Sequence, residues 1–190
     1  MSPTERRFEQ TLAWHCAPSL TGIKPADLVA WEHPVQGQPD LLERYSSMLA
    51  RRGIRLWILG EHRGRTLLLV FRQERLVDWL TQPSVAAMLA QAGYPVDGDL
   101  PALLDHLSLR LRGEEGFPHE IGLFLGYPPA DVAGFLQDGG RNCKLCGPWK
   151  VYGDVEQAQR QFSAFRRCRA ALSRRLALGV PLSQVFPTSA

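Results

Sequence analysis

The apolar positions switch between two periods along the chain. From residue 41 to 52, Leu41, Leu42, Tyr45, Met48 and Leu49 fall on one helical face, and Gly53 is placed to end that helix. The pattern then changes. Residues 54–59 and 66–71 read as two strands joined by Glu61-His62-Arg63-Gly64-Arg65, where Gly64 suits a hairpin. The second run is almost wholly apolar and reads as a central strand buried on both faces. Helices are predicted over 73–80, 84–91 and 100–111. Ile121-Gly122-Leu123-Phe124-Leu125 reads as a third strand, 128–136 as a short helix closed by Gly139-Gly140, and 149–152 as a fourth strand. A long last helix spans 154–178. Asp154 can cap it with Gln157 at the capping-box position, and Val155, Ala158, Phe162, Phe165, Cys168, Leu172 and Leu176 recur at helical steps. Gly179 and Pro181 end it.

The N-terminal quarter is more broken. Residues 4–14 look helical. Pro18 disfavours helix at Ala17, so the pattern is expected to break over 15–22, and Pro25-Ala26-Asp27-Leu28 reads as the start of another helical turn. Residues 32–39 read as a loop. Strands in hairpins and isolated pieces, without regular βαβ alternation, predict an α+β fold. The expected architecture is a small, mainly antiparallel sheet with several helices, forming one domain over 1–190 with the long C-terminal helix packed on it.

Composition fits that picture. With 190 residues, 45% hydrophobic and 22% charged, the chain is an ordinary globular one and not collagen-like, low-complexity or strongly disordered. No run of about 18 apolar residues is present, so no membrane span is expected. The start, Met1-Ser2-Pro3-Thr4-Glu5-Arg6-Arg7, is no apolar leader, and a cytoplasmic location is expected. There Cys16, Cys143, Cys146 and Cys168 should be reduced unless they bind metal or do redox work. The net charge of +3 is uneven: residues 1–140 carry 13 basic and 17 acidic side chains, and residues 141–190 carry 9 and 2. Arg160, Arg166, Arg167, Arg169, Arg174 and Arg175 make the last helix basic, a surface suited to an acidic protein partner. Arginine outnumbers lysine 19 to 3 throughout, a general bias, and nucleic acid is not the expected partner.

Three short segments hold the candidate chemistry. The chain has no Walker loop, no GxGxxG after a strand, no HExxH and no GxSxG. His15-Cys16-Ala17-Pro18 puts a thiol beside an imidazole near a helix break, conditions that favour thiolate. Phe117-Pro118-His119-Glu120-Ile121-Gly122 puts a base and an acid at the entry to an apolar run, where neighbours on a strand would face opposite ways. Asn142-Cys143-Lys144-Leu145-Cys146-Gly147 is a CxxC turn, the spacing of a metal knuckle or of a redox dithiol. Cys168 lies in the apolar stripe of the last helix and reads as a core thiol.

These segments also resemble a known family. Residues 15–28, 117–128 (Phe-Pro-His-Glu-Ile-Gly-Leu-Phe-Leu-Gly-Tyr-Pro) and 146–152 (Cys-Gly-Pro-Trp-Lys-Val-Tyr) are similar to the opening, central and third motifs of an uncharacterised bacterial family. It is catalogued as domain of unknown function 3793 and is of clostridial type. Cys168 falls at that family's late cysteine. The resemblance implies that the first and central motifs belong to one site. The leading expectation is a thiol-dependent enzyme with Cys16 as nucleophile, His119 as general base and Glu120 beside it. It would act on an acyl or thiol-bearing small molecule, with His15, Lys24 and Arg72 contacting substrate and no cofactor. Two alternatives stand beside it. One is a metal- or cofactor-binding protein holding zinc or iron through His15, Cys16, Cys143 and Cys146. The other is an adaptor whose arginine helix docks a small acidic electron-transfer protein.

Overall fold

A computed structural model describes residues 1–32, 39–113 and 116–186; the loop expected over 32–39 lies mostly outside them. Helix α1 spans Pro3–Leu20, strand β1 Ala26–Trp31, helix α2 Pro39–Ala50, strand β2 Ile54–His62 and strand β3 Arg65–Arg72. Helices α3 (Gln73–Leu80), α4 (Pro83–Gln91) and α5 (Leu100–Arg112) follow. Then come the single turn α6 (Ile121–Phe124), α7 (Pro129–Asp138), the strands β4 (Leu145–Cys146) and β5 (Lys150–Val151), α8 (Val155–Ala177) and α9 (Leu182–Val185). The fold is α+β, with a small antiparallel sheet and a long C-terminal helix.

The strand order is β1-β3-β2, antiparallel throughout, from Ala26 opposite Phe71 on one side and Ile54 opposite Arg72 on the other. The turn between β2 and β3 places Arg63 and Gly64 at φ 50° and 72°, the left-handed pair that a two-residue hairpin needs. Strand β3 is buried from Thr66 to Phe71 because helices cover both faces. Leu68 and Val70 point into a core built with α1, α2, α8 and α9, which contains Phe8, Leu12, Cys16 and Leu49. Leu67, Leu69 and Phe71 point into a second core built with α3 to α7, which contains Leu76, Leu104, Leu107 and Phe124. A third cluster, Trp149, Val151, Ala158, Phe162 and Phe165, seats the β4–β5 hairpin on the first turns of α8. Asp154 caps that helix, its carboxylate accepting from the Gln157 amide at 2.9 Å.

Three local expectations are corrected. Helix α1 does not break at Pro18. Proline lacks one N–H there, a modest loss one turn from the helix end, and the buried Ala17, Pro18 and Leu20 hold the turn in place. The helix ends instead at Gly22, with φ 79°, where the Ile23 amide reaches the Pro18 carbonyl at 2.9 Å and the Gly22 amide reaches Ser19 at 3.0 Å. Residues 26–28 are strand, not helix. Ala26 and Leu28 join the second core, while Asp27 on the opposite face accepts from the Ser19 amide at 3.0 Å. Residues 121–125 form a helical turn, not a third strand. A five-residue apolar run carries no period that separates the two, and here all of it is buried with α6 packed against α3 and α7. The Trp79 indole donates to the Leu123 carbonyl at 2.6 Å and fixes the turn. The expected fourth strand is β5, paired with β4 and outside the main sheet. No helix among the described residues is long and apolar enough to cross a membrane.

Candidate functional site

Three successive segments meet beside the second core: the turn preceding α6, helix α7 and the β4–β5 hairpin. Between them lies a pocket of about 360 Å³. Leu28, Ile121, Leu125 and Val132 give it an apolar lining, and Phe117, Phe135, Tyr127 and Trp149 give it aromatic walls. Besides the Tyr127 phenol, His119, Asp131 and Lys150 are its charged or titratable members. The His119 ring lies 4.7 Å from that of Phe135 and 6.0 Å from that of Phe117. Tyr127 stacks on Trp149 with ring centres 4.8 Å apart and planes 24° from parallel. Burial, reinforced by the Asp27 charge, pushes the Tyr127 hydroxyl up to about 12, so it stays a neutral phenol.

Asp131 holds the hairpin in place. It is 3% exposed. One carboxylate oxygen accepts from the Trp149 indole at 2.7 Å; the other accepts from the Tyr152 and Gly153 amides at 2.8 and 2.7 Å. Gly147 lets the same hairpin close on α8. A Cβ there would stand 2.2 Å from the Phe162 ring. Just before it, Cys143 and Cys146 sit with their sulfurs 3.2 Å apart, the first half-buried and the second exposed.

The other candidate residues lie elsewhere. Cys16 has no exposed surface and belongs to the core on the opposite face of the sheet from the pocket's apolar lining. Burial, with the Asp27 charge adding to it, pushes its thiol well above the ordinary range, so it is held as a thiol. The structure therefore does not give Cys16 the accessible thiolate expected of it, and it is not a wall of His119's pocket. His15 is exposed on α1. Glu120 turns away from the pocket and is buried, accepting from the Tyr94 hydroxyl at 3.2 Å and pairing with Arg110 at 3.2 Å. Lys24 is 8% exposed, bound to Asp27 at 2.5 Å and 5.3 Å from the Tyr127 ring centre. Arg72 donates to the Leu20 carbonyl at 2.7 and 3.2 Å and to the Arg52 carbonyl at 3.1 Å, which ties the ends of α1 and α2 to the sheet. Both cations thus tie parts of the fold together, and neither lines the pocket of His119. Cys168 donates to the Ala17 carbonyl at 3.3 Å, joining α8 to α1. Among the described residues no three His, Cys, Asp or Glu side chains are grouped to hold a metal, so His15 and Cys16 do not join the CxxC pair.

The model of the family described as a protein of unknown function, DUF3793, matches residues 12–186. The chain belongs to this family. No curated protein and no solved structure matches it. The DUF3793 match begins inside α1 and runs past α9, so it takes in the whole pocket and all four cysteines. Within it, Asp131, Phe135, Trp149 and Lys150 line the candidate pocket and were missed by sequence reasoning. The available signal was Asp131 in the first turn after Pro128-Pro129 together with a tryptophan two residues beyond Gly147.

Proposed function

We propose that this DUF3793 protein binds a small, flat, largely apolar molecule bearing an anionic group, in the pocket of the central motif. One observation carries the reading. Phe117, Tyr127, Phe135 and Trp149 converge with His119 and Lys150 on a space of about 360 Å³, the size and chemistry of small-molecule sites. The aromatic rings supply flat apolar contact. His119 and Lys150 supply hydrogen-bond donors for an anion, while the Asp131 carboxylate is engaged by its three donors. Binding is favoured over catalysis by Cys16, whose sulfur a substrate cannot reach without opening the core.

The probe is anilinonaphthalene sulfonate, which matches this chemistry. Its fluorescence should rise on titration, and Phe117→Ala and His119→Ala should each weaken binding by about tenfold, the equivalent of 1.4 kcal/mol. Both side chains are exposed, so folding should be unaffected. Unchanged affinity in both variants would refute the site. A second reading, docking of an acidic electron-transfer protein, is supported by the exposure of Arg160, Arg166, Arg167, Arg174 and Arg175 on α8. It requires salt-sensitive binding that Arg167→Glu with Arg174→Glu removes.

A further inference from the structure

The CxxC segment was left without a role by the pocket. Its sulfurs are 3.2 Å apart without any rearrangement, and both reach solvent. The pair sits at a fixed point of the fold. Cys146 is opposite Lys150 in the β4–β5 ladder, and the Lys144 amide donates to the Val151 carbonyl at 2.8 Å. Asn142 takes a left-handed φ of 56°, which turns the chain into the hairpin just before Cys143. Lys144 donates to the Gly153 carbonyl at 3.1 Å and Lys150 to the Gly140 carbonyl, so two ammonium groups are anchored along the same hairpin. Arg141 adds a third cation in the segment, its guanidinium donating to the Asp138 carbonyl at 3.3 Å at the end of α7. A hydrogen bond with Cys146, then burial, pushes the Cys143 thiol up and outweighs the downward pull of Lys150, so Cys143 is held protonated as the resolving partner of the more exposed Cys146. The other two cysteines differ: Cys16 is enclosed, and Cys168 is bonded to the α1 backbone and to Thr21.

We propose that Cys143 and Cys146 form a two-electron dithiol couple that exchanges with low-molecular-weight disulfides. Cys146, the more exposed, attacks as thiolate on one sulfur of the disulfide. An S–S bond forms to Cys146, the disulfide's own bond breaks, and one thiolate leaves and takes up the proton that Cys146 lost. Cys143 then attacks Cys146, forming the internal disulfide and expelling the second thiolate, which takes up the Cys143 proton. The protein dithiol is oxidised by two electrons and the small disulfide is reduced to two thiols. The trailing residues of the motif, Gly147 to Lys150, line the pocket, so the exchange takes place at its rim.

The test uses the reduced full chain with glutathione disulfide. The wild type should release two thiols per chain and end as an internal disulfide, two hydrogens lighter, with Cys16 and Cys168 still alkylatable after denaturation. Cys143→Ser should release one thiol and stop as a stable mixed disulfide at Cys146. Both sites are on the surface hairpin, and an unchanged circular dichroism spectrum checks the fold. Cys146→Ser should react more slowly than Cys143→Ser. A wild type that stops at a mixed disulfide, or does not react, overturns the proposal. So does purified protein in which both thiols are occupied by a zinc ion. Each of these readouts is independent of sulfonate binding in the pocket.

Discussion

Replacing Asp131 by Asn tests how the pocket is held together. The carboxylate is 3% exposed and accepts three hydrogen bonds between 2.7 and 2.8 Å, from one indole and two amides. An asparagine can keep its oxygen on the Tyr152 and Gly153 amides. Its NH2 group must then face the Trp149 N–H, donor against donor. One bond to a charged acceptor is lost, about 1.5–3 kcal/mol, and two others fall from charged to neutral strength, about 0.5–1 kcal/mol each. The expected cost is about 3 kcal/mol, or roughly 6–12 °C in Tm for a chain of this size. Urea unfolding followed by tryptophan fluorescence measures it, with the sulfonate probe as a second readout, because Trp149 forms a wall of the pocket. Asp131→Glu should not restore stability, since a longer side chain cannot reach all three donors from the same backbone position. A loss under about 0.5 kcal/mol with an unchanged Trp149 emission would show that the carboxylate does not fasten the hairpin.

Other outcomes follow from the same structure. Phe165, 6% exposed against Trp149 and the hairpin, should cost about 3–5 kcal/mol when cut to alanine, read as a shifted urea midpoint. Arg167→Glu with Arg174→Glu should leave Tm nearly unchanged, because both side chains are exposed; a large drop in calorimetry would make them structural. Partial desolvation of the ring, then Arg169, holds the His15 pKa below its ordinary 6.5, against an opposing pull from Asp27. The unfolded chain therefore takes up a proton that the folded one resists, and this contribution to stability is lost as pH falls through 6.5 toward the lowered value. His15→Gln should flatten the decline in Tm between neutral and mildly acidic pH, and a steeper decline would reverse the sign.

The elements legible in the sequence are those whose local rules agree with their tertiary setting. Residues 66–71 are apolar because β3 has a core on each face, and Asp154 with the stripe ending at Leu176 defines α8. The misread segments are those where packing overrides a local signal. Pro18 breaks only one bond near the end of a well-anchored helix. Pro25 and Asp27 look like a helix start until Asp27 is seen to be held by Ser19 and Lys24. The run at Ile121 has no period to read. At the site, His119 was visible because histidine carries chemistry wherever it occurs. Asp131 was not, because a carboxylate in the first turn of a helix is commonplace and its three donors come from residues 149–153. Cys16 misled for the opposite reason: its neighbours in sequence suggest reactivity, while its neighbours in space are Phe8, Leu12 and other core side chains.

The alternation along β3 limits how the length of this chain can vary. Leu68 and Val70 serve one core while Leu67, Leu69 and Phe71 serve the other. Deleting a single residue within this strand would turn every side chain on one side of the gap to the wrong face and damage both cores together, since side chains in a strand change face at every step. An insertion at the turn through Arg63 and Gly64, or in the connection between α4 and α5, moves no side chain across the sheet. Gains and losses of residues should therefore be tolerated at those two places and rejected within Thr66–Phe71. A deletion scan scored for soluble, folded protein would show the boundary as a sharp step at each end of β3, with both cores failing in one cooperative event.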